Sequence, residues 1–201
     1  TIEIKKLLLL FVTVLFLING CVTSEKALNN GQYDFAIQKA IKKLRKNTNK
    51  TSEILVLEKA YQKAQQDDFD RITFIQKEGS PDKWDEVYSI YVRIKNRQSL
   101  IQTLPLLDVR DNDKKVVRKA KFNFIDVDSE LLQSKQKAAD YFYTHGVAIL
   151  QKGGRFNARD AHAELMRVKS YYPNFKDVDE QLAKAKEAGT TKVLFKMKKD
   201  I

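Results

Sequence analysis

The sequence predicts an all-α protein built from antiparallel helical pairs. Apolar residues recur every three or four positions through most of the chain after residue 27, the spacing of one face of an α-helix. Only 7 glycines and 3 prolines occur in the chain, and several stand where one helix would end and the next begin. We therefore expect long helices joined by short turns, with little sheet.

The first twenty residues have the pattern of a bacterial export signal. Lys5 and Lys6 precede an apolar run over residues 7–18, and Gly20 then precedes Cys21, the single cysteine. The run is too short for a comfortable membrane span, which needs about 20 apolar residues. Its end, Ile-Asn-Gly-Cys, resembles the lipobox of bacterial lipoproteins. This resemblance implies cleavage of a signal peptide over 1–20 and lipidation of Cys21 by a diacylglyceryl thioether and a further acyl group such as palmitate.

The lipobox resemblance also implies a location. Several acyl chains hold a protein stably at a bilayer, whereas one chain alone is marginal. The residue after Cys21 is Val22 rather than Asp, so the resemblance implies the outer membrane, with the protein facing the periplasm. Residues 21–26 are interpreted as a lipid-anchored tether. With one cysteine the chain can form no internal disulfide, so its stability must come from packing.

The chain is basic, with 37 Lys and Arg against 26 Asp and Glu. Removing Lys5, Lys6 and Glu3 with the leader leaves 35 basic and 25 acidic side chains. Such a charge often indicates a nucleic-acid partner. The expected compartment argues against nucleic acid and favours anionic lipid head groups or an acidic protein surface.

Residues 27–44 predict the first helical pair. Its apolar stripe comprises Ala36, Ile37, Ala40, Ile41 and Leu44, with lysines on the opposite face. The spacing Gly31-x-Tyr33-x-x-Ala36-Ile37 resembles the junction of a tetratricopeptide (TPR) repeat. In that family glycine permits the turn, the aromatic ring fills the crevice and alanine allows close approach.

Residues 51–79 predict one long helix or two nearly continuous ones. Thr51 suits the N-cap, and Gly79 suits the position after the last turn. Ser80-Pro81 then predicts the cap and first residue of the next helix, which must end near Pro105. Its apolar stripe comprises Trp84, Val87, Tyr88, Tyr91 and Ile94. Such a stripe could line a ligand groove, but aromatic residues at this spacing more often belong to a core.

Residues 108–128 are interpreted as a charged linker inside a helical domain over 27–189, joining halves 27–107 and 129–189. Phe122, Phe124 and Val127 roughly alternate with polar residues. Residues 121–127 are therefore either a short strand or an extended segment lying across the helices.

Helical periodicity resumes at Ser129 and continues to Gly189, with a break at Gly153-Gly154. The spacing Ala161-x-x-x-Leu165-x-x-Val168, followed by Pro173, resembles the second helix of a TPR repeat. Together with the first pair, the resemblance covers about 27–66 and 138–188. It implies a TPR-like right-handed solenoid with a long concave binding surface.

Residues 190–201 change character. Val193, Phe195 and Met197 alternate with other residues, which predicts a strand at 192–198. The one candidate for a partner strand is the segment 121–127. We expect this strand to open a further domain beyond Ile201.

No residue pattern predicts catalysis. His145 and His162 lack a second type of metal ligand at a matching spacing. Asp111-Asn112-Asp113 lacks the glycine and terminal glutamate of a calcium loop. Glycine-rich phosphate loops and nucleophile elbows do not occur in the sequence. We therefore expect neither an enzyme nor a metal or cofactor site.

The leading functional hypothesis is a lipid-anchored TPR-like scaffold for protein–protein interaction, accessory to an envelope assembly or secretion complex. The candidate partner-binding residues are Tyr33, Tyr61, Tyr88, Tyr91 and Arg97, each serving either packing or peptide contact. An alternative is an envelope-binding module whose basic helix faces contact anionic lipid, lipopolysaccharide or cell wall. A third is that the helices present an enzyme or transporter component encoded downstream.

Overall fold

The computed structural model describes residues 22–191, which are mostly helical. The α-helices of this part of the chain are α1 Ser24–Asn29, α2 Tyr33–Leu44, α3 Thr51–Glu78, α4 Trp84–Gln102, α5 Asp128–Gln151, α6 Arg155–Tyr171 and α7 Val178–Gly189. A 3₁₀ turn, Pro81–Lys83, precedes α4. The predicted helical class with antiparallel helix contacts is confirmed. The leader, Cys21 and the predicted strand at 192–198 lie outside the described residues.

The described chain forms two compact units that are interleaved in sequence. The first comprises residues 22–67 and 97–124, and the second comprises 68–96 and 125–191. These units differ from the predicted halves 27–107 and 129–189. The physical reason is that apolar residues of 68–96, such as Ile72 and Ile94, share a core cluster with Val127 of the later segment.

The first unit contains a helical pair, α1 and α2, that turns at Gly31. The φ angle of Gly31 is +74°, a conformation that side-chain-bearing residues rarely adopt, so the predicted turn is confirmed. The apolar stripe of α2 packs against the first half of α3 in one core. Helix α1 begins at Ser24. This start lies inside the segment 21–26, which was predicted from the sequence to be a tether.

Two short antiparallel strands occur in the predicted linker. Strand β1, Asp108–Arg110, pairs with β2, Val116–Lys119, in a register that places Val109 opposite Arg118. Residues 121–127 are neither helix nor strand, so the strand alternative for this segment is wrong. The N-cap prediction for Thr51 is also wrong, because Thr51 is already in the helix and its hydroxyl accepts the Arg110 backbone N–H at 3.1 Å.

The second unit contains the pair α5 and α6, followed by α7. Gly153 and Gly154 have φ angles of +71° and +84°, which confirms the predicted break between the pair. Gly146 of α5 faces α6 so closely that an added Cβ atom would lie 3.0 Å from Cγ of Leu165. The core of this pair and α7 includes the predicted residues Ala161, Leu165 and Val168.

Candidate binding surfaces

The five predicted partner-binding residues separate by burial. Tyr61, Tyr91 and Arg97 are only 3%, 5% and 4% exposed. Tyr33 and Tyr88 are half-buried. Of the two roles left open by the sequence, the structure therefore favours packing for the first three and leaves surface for contact at Tyr33 and Tyr88.

Tyr61 fastens an extended segment onto α3 within the first unit. Its hydroxyl donates to the backbone carbonyl of Asn123 at 2.9 Å. The rings of Phe122 and Phe124 each lie 5.8 Å from the Tyr61 ring, in edge-on geometry. Burial raises the pKa of Tyr61 to about 12, against an opposing effect of the Arg97 charge. The phenol is a neutral donor with a structural task.

Arg97 and Tyr91 are likewise held inside their units. Nε of Arg97 donates to Oδ1 of Asp34 at 2.8 Å, which ties α4 to the start of α2 within the first unit. Tyr91 lies in the core cluster that α3, α4 and Val127 build in the second unit. Burial, followed by the charge of Glu130, raises the pKa of Tyr91.

A set of half-buried aromatic rings and exposed cations covers one part of the second unit. We call it the aromatic–cation surface, and it consists of Trp84, Tyr88, Lys137, Tyr141, Arg167 and Tyr171. Its members come from α4, α5 and α6, so no single stretch of sequence contains it. Of the predicted site residues only Tyr88 belongs to it.

Arg167 occupies the centre of this surface. Its Nη2 lies 2.7 Å from Oδ2 of Asp85, and its guanidinium carbon lies 3.6 Å from the centroid of the Phe142 ring. Phe142 in turn stacks on Tyr171 with a centroid distance of 6.2 Å and an interplanar angle of 5°. Tyr171 meets Tyr88 edge-on at 5.5 Å. The cation and three rings therefore hold one another in place.

A second cation–ring contact extends the surface along α5. Nζ of Lys137 lies 3.9 Å from the centroid of the Trp84 ring, an arrangement that contributes about 0.5–2 kcal/mol. One turn later Tyr141 stacks on His145 with a centroid distance of 5.4 Å. Burial, followed by the charge of Asp82, raises the pKa of Tyr141, and burial followed by Asp85 raises that of Tyr171. Both phenols remain neutral and can donate hydrogen bonds.

The sequence reasoning missed Lys137, Tyr141, Arg167 and Tyr171. A usable signal was the density of aromatic residues at positions 141–143 and 171–172, each beside a helix stripe already assigned to the core. Their convergence with Trp84 depends on tertiary packing, which helical periodicity does not specify.

Charged groups elsewhere in the described residues do not form a metal centre. Among residues 22–191, no group of three or more His, Cys, Asp and Glu side chains is placed to hold an ion. One histidine does lie near a carboxylate, since Nδ1 of His145 is 3.6 Å from Oε2 of Glu164. Within the same residues, no helix combines the length and the apolar content that a membrane crossing requires.

In comparisons with protein families, curated proteins and solved structures, no match to this chain was found.

Proposed function

We propose that the protein is a lipid-anchored, TPR-like scaffold that binds a partner protein at the periplasmic face of the bacterial outer membrane. The anchor is supported by the leader and Cys21 in the sequence. The scaffold is supported by two helical pairs, α1–α2 and α5–α6, which turn at Gly31 and at Gly153-Gly154. A right-handed solenoid and a role beside an assembly or secretion complex are parts of the same proposal.

The observation that carries the proposal is the aromatic–cation surface. Tyr, Trp and Arg are enriched at the centres of protein interfaces, because they supply large contact areas with few rotatable bonds and several hydrogen-bond donors. Here Trp84, Tyr88 and Tyr171 remain half-buried, and Arg167 is fixed against Phe142 and Asp85. Pre-arranged side chains lose little freedom when a partner binds.

Site-specific photo-crosslinking in native membranes tests partner binding at this surface. A photoreactive phenylalanine replaces Tyr88 in one variant and Glu187, an exposed residue of α7, in a control variant. We expect one discrete protein adduct from position 88 that is absent from position 187, and mass spectrometry then identifies the partner. A variant at position 88 that yields no protein adduct, or the same adducts as position 187, contradicts the scaffold proposal.

Intact-mass analysis tests the anchor separately. The protein extracted from membranes should begin at Cys21 and carry the mass of a diacylglyceryl group together with an amide-linked acyl chain. A Cys21→Ser variant should lack this mass and leave the membrane fraction in high salt. An unmodified thiol on the native protein would remove the proposed location.

A further inference from the structure

We infer that the exposed face of α2 lies on the anionic head groups of the membrane that holds the protein's lipid anchor. This inference rests on the proposed lipidation of Cys21 and adds the surface that meets the bilayer. We call the surface the basic face, and it consists of Phe35, Lys39 and Lys42 of α2 together with Arg45 and Lys46 of the turn that follows; Lys39 is half-buried and the other four are exposed.

Only a short length of chain separates Cys21 from the folded first unit. Thr23 caps α1, because its hydroxyl accepts the Lys26 backbone N–H at 3.1 Å. Helix α1 therefore begins at Ser24, three residues after Cys21. Three extended residues reach about 10 Å, so lipid on Cys21 would hold the first unit directly at the head groups.

The contacts of Val22 indicate where α2 lies relative to the anchor. Val22, the residue after Cys21, packs against the first core together with Tyr33. Val22 also lines one shallow cleft with Gly31, Tyr33 and Phe35. The amino-terminal end of α2 therefore lies beside the point where the lipid would be attached.

The basic face combines lysine side chains with one exposed aromatic ring. Lys39 and Lys42 follow Phe35 by four and seven positions, so these three share one side of the helix, and Lys46 lies in the turn just beyond its end. Phe35 is 41% exposed, and Nζ of Lys39 lies 5.0 Å from its ring centroid. Within residues 22–191 none of these three lysines has a carboxylate at ion-pair distance, and no acidic residue occurs between positions 35 and 46.

Lys43 shows that this lack of pairing belongs to one side of α2. It points to the other side of the helix, where its Nζ lies 2.6 Å from Oε1 of Glu53. The lysines of the basic face instead leave their charges for an external anion. Counting only contacts within the part of the chain that the structure describes, Arg45 is the one member with an internal hydrogen bond, which it donates to the Thr103 hydroxyl at 3.1 Å.

A groove with apolar residues in its lining lies beside these cations. An open groove of about 550 Å³ runs beside the face, with Ile41 and Leu100 among its lining and Lys42, Arg45 and Lys46 at its edge. Apolar surface beside a cationic edge suits an amphiphile whose phosphate meets the cations while its upper chain covers the apolar side chains. This charge pattern favours an anionic phospholipid over an acidic protein as the occupant.

Vesicle sedimentation with the full mature chain tests the inference. The Cys21→Ser protein over 21–201 is mixed with phosphatidylcholine vesicles with or without 30% phosphatidylglycerol. We expect binding only to the anionic vesicles, and we expect 0.5 M NaCl to abolish it, because salt screens such contacts. The triple variant Lys39→Gln, Lys42→Gln, Lys46→Gln should bind on the order of 100-fold more weakly, since each surface cation contributes roughly fivefold.

A matched control removes the same charge elsewhere. Lys59→Gln, Lys63→Gln and Lys152→Gln replace three exposed lysines outside the basic face. Equal losses in the two triple variants would overturn the inference in favour of general charge attraction. Failure of the parent protein to bind anionic vesicles would also overturn it.

A fluorescent label locates the contact. In the Cys21→Ser protein, Gln38→Cys introduces a single thiol beside the basic face, and Lys63→Cys introduces one on α3. An environment-sensitive dye should shift to the blue on anionic vesicles at position 38 and not at position 63. A shift at position 63 alone would overturn the assignment of this face.

The failure of this inference is distinguishable from failure of the proposed function. Lipidated Cys21 without vesicle binding would overturn only the basic face. Vesicle binding by a protein whose native Cys21 is unmodified would overturn the anchor. A photoreactive residue at position 42 that captures a protein while the vesicles bind nothing would assign the face to an acidic protein partner and overturn the lipid assignment.

Discussion

Gly146 sets the distance between α5 and α6. An added Cβ atom would lie 3.0 Å from Cγ and 3.2 Å from Cδ2 of Leu165, which is fully buried. Alanine gains up to about 1 kcal/mol of helix propensity over glycine. Overpacking a core costs about 1–3 kcal/mol, so we expect Gly146→Ala to lower the free energy of unfolding by about 1 kcal/mol.

Urea unfolding measures this change. Thr144→Ala, at an exposed position of the same helix, serves as the control and should change stability by less than about 0.5 kcal/mol. A stabilised Gly146→Ala protein would contradict the close approach of the two helices.

Tyr61→Phe removes the donor that satisfies the carbonyl of Asn123. We expect a loss of about 1 kcal/mol at neutral pH, the usual net value of such a hydrogen bond. The pKa of Tyr61 is about 12 in the folded protein and 10 ordinarily, so the unfolded state releases its proton first as pH rises. Between pH 10 and pH 12 the parent protein therefore becomes less stable through ionisation of this phenol in the unfolded state. The variant has no phenol at position 61 and escapes this loss.

Urea titrations at pH 8, 10 and 11 of both proteins check the expectation. The stability difference between parent and Tyr61→Phe should shrink above pH 10, because other titrating groups are common to both. A difference that stays constant with pH would contradict the burial of this phenol.

The substitution Arg97→Ala distinguishes a packing role of Arg97 from a role in partner contact. Its side chain is 3% exposed and bonded to Asp34, so truncation would remove both a buried cation and its hydrogen bonds. The Asp34 carboxylate left behind is 47% exposed. We therefore expect Arg97→Ala to destabilise the protein by about 2 kcal/mol, within the range for the loss of a hydrogen bond to a charged group. Arg155→Ala, at an exposed site, should cost less than about 0.5 kcal/mol in the same thermal and urea measurements. Equal effects of the two substitutions would contradict the packing role.

The sequence predicted which residues matter better than it predicted their exposure. The sequence left Tyr61 and Arg97 open between packing and partner contact, and both are buried. Their burial depends on Phe122, Phe124 and Asp34, which lie about sixty positions away in the chain. A local pattern contains no information on which distant segment will cover a residue.

The β-hairpin is attached to α3 largely through Glu58. Its Oε1 and Oε2 accept from Nη1 and Nη2 of Arg118 at 2.6 and 2.8 Å, and Oε1 also accepts the Lys121 backbone N–H at 2.7 Å. Burial tends to raise the pKa of Glu58, but these hydrogen bonds and charges outweigh it and hold the pKa below 4.5. The carboxylate therefore stabilises the fold above its ordinary pKa, and this stabilisation is lost as pH falls through the lower, folded value.

Glu58→Gln tests this attachment. We expect a loss of about 1.5–3 kcal/mol at pH 7, the range for hydrogen bonds to a charged group. Hydrogen exchange should become faster over 108–121, while urea unfolding of the variant should depend less on pH between 7 and 3 than that of the parent. Glu25→Gln, at an exposed position of α1, is the control. Unchanged exchange in the hairpin would contradict its attachment through Glu58.

The helices were predictable from the sequence, and the hairpin was not. Caps, glycines and apolar stripes are local signals, and the boundaries at Gly79, Pro81 and Gly153 follow them. The strands are three and four residues long, and β2 is mostly exposed, so no apolar alternation marks them. The alternation in 121–127 reflects rings that pack on Tyr61 rather than a strand pair.

The whole described chain is divided into two units by three crossings, after residues 67, 96 and 124. Residues 68–96 share a core cluster with Val127 and partly with Leu131. A chain truncated after Phe124 keeps every segment of the first unit but loses this cover. We expect it to bind a hydrophobic dye more strongly and to melt at a lower temperature than the full chain.

Hydrogen exchange locates the effect of the truncation. Amides in 68–96 should exchange faster than in the full chain, whereas those in 33–67 should stay protected. Equal protection of 68–96 in both chains would contradict the assignment of these residues to the second unit.

The chain order of the first unit also has a consequence for biosynthesis. The aromatic rings that cover Tyr61 belong to residues 122 and 124, which leave the ribosome long after α3. At about 5–20 residues per second, roughly 3–12 s pass between the synthesis of Tyr61 and that of its ring partners. During that interval the side of α3 that carries Tyr61 lacks its aromatic cover, so we expect the nascent chain to bind holding chaperones more readily than the completed chain does.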